Sequence, residues 1–328
     1  MNDAPVVSPP ARQGGTADTF STAAYGGAGW AQRTATHGDE ISRLWAGGID
    51  SEWRRLKTVL LRRPGPEIVV DDVDAAQQLE PLDLARAQDE HDAMADAYRA
   101  AGVTVLDVPE TAAPTPNRMF CADLFAMTPQ GAILARPAST VRAGEEVAVA
   151  AALAAARVPI LRTLTGNATF EGADLIWLDE RITLLGLGLR TNMEAARQIA
   201  ATLGEIGIET IPVDMPFGTM HLMGMLRITD RDLAIAWPRR TPHRAVTALR
   251  ERGYRVEFLP AADEAQANRA LNFVTLGPRR ILMPGGNEAT RAWYESLGIN
   301  VTETPVTELR KAAGAVGCLT GVVERERA

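Results

Sequence analysis

The stretch ADLIWLDERITLLGLGLRTNMEAARQIAATLGEIGIETIPV, residues 173–213, decides the fold. Two apolar runs, Ala173–Leu178 and Ile182–Gly186, flank a polar turn, as paired strands do. A helix follows over Met193–Ile206, and the strand Glu209–Val213 completes the unit.

The same order recurs on both sides. Upstream, Met119–Met127, a turn at Pro129-Gln-Gly131 and Ala132–Ala135 form a strand pair. A helix near Glu145–Ala156 and the strand Pro159–Leu164 follow. Downstream come Leu222–Ile228, Leu233–Trp237, a helix near His243–Arg252 and Arg255–Leu259. The last unit holds Leu271–Leu276, Arg280–Met283, a helix near Glu288–Leu297 and Asn300–Glu303. At the other end, the strand Lys57–Leu61 closes at Arg63-Pro-Gly65. A helix over Asp83–Ala100 then places Leu84, Ala87, His91, Met94 and Tyr98 on one face, Gly102 ends it, and Val103–Leu106 returns as a strand.

One landmark residue sits at the mouth of each unit: Asp123, Glu171, His221, Asn272 and Cys318, at separations of 48, 50, 51 and 46. A period near 50 marks a repeat or propeller architecture, and a helix in every repeat excludes an all-β blade. The expectation is α/β modules around an axis with the landmarks converging at its centre. Cys318 lies past the fifth module, so its strand is expected to pair with the first and close the ring.

The 328 residues carry 34 Lys+Arg against 41 Asp+Glu, a formal charge of −7, with 46% hydrophobic and 23% charged residues. This is a globular balance, and the acidic excess argues against a nucleic-acid surface. No apolar window approaches the 18 residues of a membrane span, and Met1-Asn2-Asp3-Ala4-Pro5 lacks the features of a signal peptide. The expected location is cytoplasmic. Two cysteines exclude a disulfide framework, and four histidines without HExxH or CxxC spacing give no metal motif. Residues 1–29, rich in Gly, Ala, Ser, Thr and Pro, read as a flexible tail. Trp30, Trp45 and Trp53 are three of six tryptophans, so residues 30–55 are expected to dock on a single catalytic propeller domain over 56–328. Docking by plain packing and a lid over a site are both open readings.

Each candidate residue has a plain reading beside a chemical one. Cys318, in GAVGCLT, is a buried structural thiol or a nucleophile; His221, in GTMHLM, is a core histidine or a general acid and base. Glu171 and Asp174, in FEGAD, are solvated turn acids or site carboxylates, and Asp123 follows three apolar positions, where an acid needs a cationic partner. Arg142 and Arg190 each follow a strand, as surface charges or as forks for a carboxylate. The period brings acid, acid, histidine and thiol to one place. That set suits a cationic electrophile, whose charge favours a thiolate; a thiol of lowered pKa would alkylate fast at pH 6–7.

This constellation resembles the guanidino-group-modifying (pentein) superfamily: arginine deiminases, dimethylarginine dimethylaminohydrolases and amidinotransferases. The resemblance runs from about Ser51 to Val323 and implies a five-bladed α/β propeller. It is nearest to the dimethylarginine hydrolases. Phe120-Cys-Ala-Asp123 is similar to their aromatic-x-x-Asp element, whose Asp holds the guanidinium. Arg136-Pro…Arg142 with Glu145 or Glu146 is similar to the stretch whose arginine meets the substrate carboxylate. Glu171-Gly-Ala-Asp174 resembles acid-Gly-Gly-Asp, whose first acid orients the histidine. Gly188-Leu-Arg190-Thr-Asn192 resembles Gly-x-x-x-Arg-Thr-Asn, one residue shorter. His221-Leu222 and Cys318 fall at the catalytic histidine and nucleophile.

The resemblance implies catalytic roles for Cys318, His221 and Glu171, with Asp123, Arg142, Arg190 and Asp174 on the substrate. It implies a small-molecule guanidino substrate, no cofactor or metal, no nucleic acid and no membrane; a homodimer is compatible with it. The expected activity is cysteine-dependent hydrolysis of a methylarginine- or arginine-like guanidine to a ureido product and an amine or ammonia. Amidino transfer to an amine and arginine deimination are the alternatives. Met223 stands where deiminases and transferases carry the Asp of His-x-Asp, which tilts against transfer. A non-catalytic binding protein on this fold would lack the Cys and His.

Overall fold

A computed structural model describes residues 22–110, 114–260 and 262–328. The chain divides into two units, residues 1–39 and 40–328. Of the tail expected over 1–29, residues 1–21 lie outside the described residues; beyond them a 3-10 turn, Ala23–Tyr25, ends at Gly26 in the left-handed region (φ 88°).

The second unit is built of five three-stranded sheets. The first pairs β1 (Leu56–Leu61) with β2 (Thr104–Asp107), and the next holds β3 (Phe125–Thr128), β4 (Gly131–Leu134) and β5 (Ile160–Thr163). Then come β6 (Leu175–Asp179), β7 (Ile182–Leu187) and β8 (Glu209–Asp214), followed by β9 (Leu226–Asp230), β10 (Leu233–Ala236) and β11 (Arg255–Phe258). The fifth holds β12 (Val274–Gly277), β13 (Arg280–Pro284) and β14 (Asn300–Thr304). In every sheet one neighbour of the central strand is antiparallel and the other parallel. A tight turn can join an antiparallel pair, but a parallel pair needs a crossover, which explains one helix per module. These helices are Leu84–Ala100, Glu145–Ala155, Met193–Glu205, His243–Glu251 and Glu288–Ser296.

The last strand, β15 (Gly321–Arg325), joins the first sheet antiparallel to β1, with Val59 opposite Val322 and Leu60 opposite Gly321. The ring closes through the C-terminal strand, as the position of Cys318 implies. Residues of β6, β9, β12 and β15 line one small cavity, so these strands surround a common axis. Residues 40–55 run against this ring: Gly48 N–H donates to Val323 O (2.9 Å), Ala46 N–H donates to Arg157 O (3.0 Å), and Trp53 packs against the core cluster that holds Ile176 and Tyr254.

Helix boundaries follow local chemistry. Asp83 caps its helix by accepting the Arg86 N–H (3.0 Å), and the buried face is Ala87, His91, Met94, Ala95 and Tyr98. The first strands differ from the sequence reading. Apolar runs begin at Met119, Ala173, Leu222 and Leu271, yet β3, β6, β9 and β12 start two to six residues later. Three of these lead-ins contain 3-10 turns, Cys121–Asp123, Gly172–Asp174 and Leu222–Gly224. Their apolar residues are buried near the axis, and burial without periodicity cannot tell a turn from a strand.

Neighbouring turns nest closely. A Cβ on Gly172 would lie 2.1 Å from Phe125 O and 2.6 Å from Ala122 O, both backbone atoms. Gly172→Ala is therefore expected to cost about 1–3 kcal/mol; an unchanged urea midpoint would show that the turns can separate freely.

Candidate active site

The nested turns carry the landmark residues. Asp123 ends the turn before β3, Glu171 precedes the turn before β6, and His221 precedes the one before β9. Asn272 lies in the connection before β12, and Cys318 in the helical turn Val316–Leu319 before β15. Asp123, His221, Cys318, Phe120 and Arg190 line one narrow cavity.

Its acid–base pair is explicit. His221 Nε2 lies 2.6 Å from Glu171 Oε2, and His221 Nδ1 is 3.8 Å from Asp123 Oδ1. Arg142 Nη1 donates to Asp123 Oδ2 (2.7 Å) and reaches Glu171 Oε2 (3.5 Å), while its Nε donates to Glu145 Oε2 (2.9 Å). Arg190 Nη1 donates to the other Glu171 oxygen (3.1 Å). Asp123 Oδ1 is buried without a hydrogen-bond partner.

A second layer fixes backbone. Asp174 accepts the Leu222 N–H (3.0 Å) and the Thr191 hydroxyl (2.6 Å), which locks the peptide after His221. Arg190, Thr191 and Asn192 divide the work: Arg190 meets Glu171, Thr191 meets Asp174, and Asn192 caps the following helix through the Ala195 N–H (2.9 Å). Asn272 clamps the thiol residue from both sides. Its Nδ2 donates to Cys318 Sγ (3.0 Å) and its Oδ1 accepts the Cys318 N–H (3.1 Å).

Charges follow from these contacts. Burial opposes the imidazolium, but Asp123, Glu171 and Asp174 outweigh it and hold the His221 pKa up at about 9. Burial would raise Glu171, yet His221, Arg142 and Arg190 bring it down to about 2. The pair is an ion pair at neutral pH. Asp174 is pushed up to about 6 by burial, against the hydrogen bonds it accepts. Burial and then the Asp123 charge raise the Cys318 thiol, against the Asn272 donor, the Ala315 N–H and Arg227. This corrects the expectation of a low thiol pKa: without a bound cation, the carboxylate that would hold one repels the thiolate.

Asp123, His221 and Cys318 thus meet at one cavity, with Arg190 on its wall and Glu171 behind the histidine. Arg142 also reaches the cavity, but its guanidinium is committed to buried carboxylates. Asp174 faces backbone rather than the cavity. Sequence reasoning passed over Asn272 as a functional group although it lies on the 50-residue period, and it passed over Gln77 and Asn117, which carry no such mark. Asp123, Glu171 and His221 could offer a cation three ligand atoms within 4.8 Å of one another, but Arg142 already bridges the two carboxylates.

A family profile described as N,N dimethylarginine dimethylhydrolase, eukaryotic, matches residues 73–275. An N(G),N(G)-dimethylarginine dimethylaminohydrolase from Pseudomonas aeruginosa is 24% identical over 264 residues, spanning 80% of this chain and 98% of its own. A solved structure of such an enzyme from Pseudomonas aeruginosa, a cysteine-to-serine variant complexed with citrulline, superposes with a TM-score of 0.68 at 23% identity over 83% of this chain and all of its own. An amidinotransferase of the saxitoxin pathway from Microseira wollei superposes with a TM-score of 0.71 at 15% identity, over 86% and 98% of the two chains. These likenesses identify the fold as the five-bladed α/β propeller.

The raised thiol sets an expectation for the free protein. Iodoacetamide should label Cys318 slowly at pH 7, with the rate rising about tenfold per pH unit toward pH 9. Site-resolved mass spectrometry distinguishes it from buried Cys121; rapid labelling already complete at pH 6 would contradict these electrostatics.

Proposed function

This chain belongs to the N,N-dimethylarginine dimethylhydrolase family and is a hydrolase, and on that premise we propose that it converts a methylarginine-like guanidine to a ureido product and an amine through a covalent Cys318 intermediate. The observation that carries this reading is the buried, unpartnered Oδ1 of Asp123 in the cavity that holds the Cys318 thiol. A buried carboxylate oxygen without a donor is costly, and a guanidinium supplies the missing N–H and charge.

The steps follow from the charges. Asp123 accepts the guanidinium, and Arg190, the less committed arginine on the wall, meets the substrate carboxylate. The bound cation offsets the Asp123 charge, so the thiol gives up its proton to solvent and the Asn272 amide stabilises the thiolate. Sγ attacks the guanidinium carbon, and imidazolium His221 protonates the departing nitrogen as the C–N bond breaks. Neutral His221 then takes a proton from water, whose oxygen attacks the same carbon. The C–S bond breaks and the ureido product leaves. Glu171 keeps the imidazole oriented and basic throughout.

Citrulline release from arginine, monomethylarginine and dimethylarginine, with and without glycine as acceptor, tests the reading. Citrulline from a methylarginine without glycine is the expected result; a new guanidino product that requires glycine would make the protein an amidinotransferase. Cys318→Ser should lose at least about a thousandfold in kcat, and near-normal turnover by it would sink the mechanism.

The pH dependence has a definite sign. His221 must start protonated, so kcat/KM, which reports the free protein, should fall as pH rises through about 9. Glu171→Gln removes an anion that holds this proton, so it should move the alkaline limb downward and lower kcat by about a hundredfold or more; an unmoved limb would assign that titration to another group.

A further inference from the structure

A second chamber, larger than the first and open to solvent, borders the catalytic pair. Met220, His221, Ala313 and Cys318 border both it and the first cavity, so the reacting carbon would sit at their junction. The two differ in chemistry. The first presents Asp123, Arg190, Gln77 and Asn117, groups that suit the guanidinium and the charged end of an amino acid. The second is walled by Met223, Met225, Trp237 and Leu271, and no carboxylate lines it among the described residues. Its lining offers no negative charge to pair with an α-ammonium group.

Two cations stand at its edge. The Arg240 guanidinium lies 4.5 Å over the Trp237 ring, and Arg269 is half-buried beside it on the chamber wall. Neither forms an ion pair among the described residues. Stacking leaves the in-plane N–H groups of Arg240 available to an acceptor.

Resting on the hydrolase reading above, we propose that this chamber receives the leaving amine of the substrate, and that the preferred guanidine carries a nitrogen substituent larger than methyl, apolar along its length and ending in a carboxylate. Methionines adapt to such a chain, Trp237 offers it a face, and Arg240 and Arg269 meet its end. The chemistry is unchanged and balances. The substituted guanidinium and one water give the ureido product and the substituted ammonium; the thiolate is regenerated. His221 borders both chambers, so the nitrogen it protonates is the one carrying the substituent in the second.

The test compares Nω-(4-carboxybenzyl)-L-arginine with Nω-methyl-L-arginine on the intact protein. The carboxybenzyl compound should show a kcat/KM at least tenfold higher, and 4-(aminomethyl)benzoate should inhibit as a product. Arg240→Gln, or separately Arg269→Gln, should lower the ratio of the two kcat/KM values by about tenfold; turnover of the methyl compound reports that each variant is folded. Turnover of the methyl compound but not the carboxybenzyl one, or a ratio that neither substitution moves, overturns this inference and leaves the hydrolase reading standing. Turnover of neither compound by the native protein overturns both.

Discussion

Arg142 is the constraint on which the site depends. Its guanidinium sits in the interior against Asp123, Glu145 and Glu171, and it ties the acids of two neighbouring blades into one cluster. Desolvating so many charges is tolerable only while each keeps its partner, and losing one member of such a pair typically costs about 3–5 kcal/mol. The cluster also rations hydrogen bonds. Arg142 takes one oxygen of Asp123 and leaves the other buried without a donor; on Glu171, Arg190 takes one oxygen while Arg142 and His221 share the other. The opening for a cationic ligand is what the cluster leaves unsatisfied.

The ring geometry supplies the rest. Each module enters its first strand through a turn near the axis, so residues about fifty apart in sequence become neighbours in space. Gly172 permits the second and third turns to touch, and Asp174 ties the third to the fourth through the Leu222 N–H. Cys318 is positioned by a residue from the fifth module, Asn272, whose backbone also accepts the Gly317 N–H. Buried Arg227 presses from the axial cavity, where a Cβ on Gly317 would meet its Nη2 at 2.0 Å. The nucleophile is held by its neighbours across the ring more than by its own short helical turn.

This electrostatic arrangement keeps the free site quiet. The imidazolium and Glu171 neutralise each other, and burial together with the Asp123 charge holds the thiol protonated. A guanidinium supplies the charge that releases the thiolate, so reactivity is coupled to occupancy by the right class of ligand.

The amino-acid sequence by itself determined the module order, the five-fold period, the return of the last strand to the first sheet, and the acid, acid, histidine and thiol at one axis. These are legible because strand and helix periodicities are local, and because a repeat carries equivalent positions to equivalent places. Only the tertiary structure decided how the charges are spent. Arg142 and Arg190 look alike in sequence, yet one is enclosed by three carboxylates and the other keeps a place on the cavity wall. Asp123 and Cys318 each look reactive, yet burial and then their proximity raise the thiol pKa. Asn272 and the methionine-walled chamber came from packing between blades. Burial, pairing and desolvation are properties of many distant residues at once, and no local pattern encodes them.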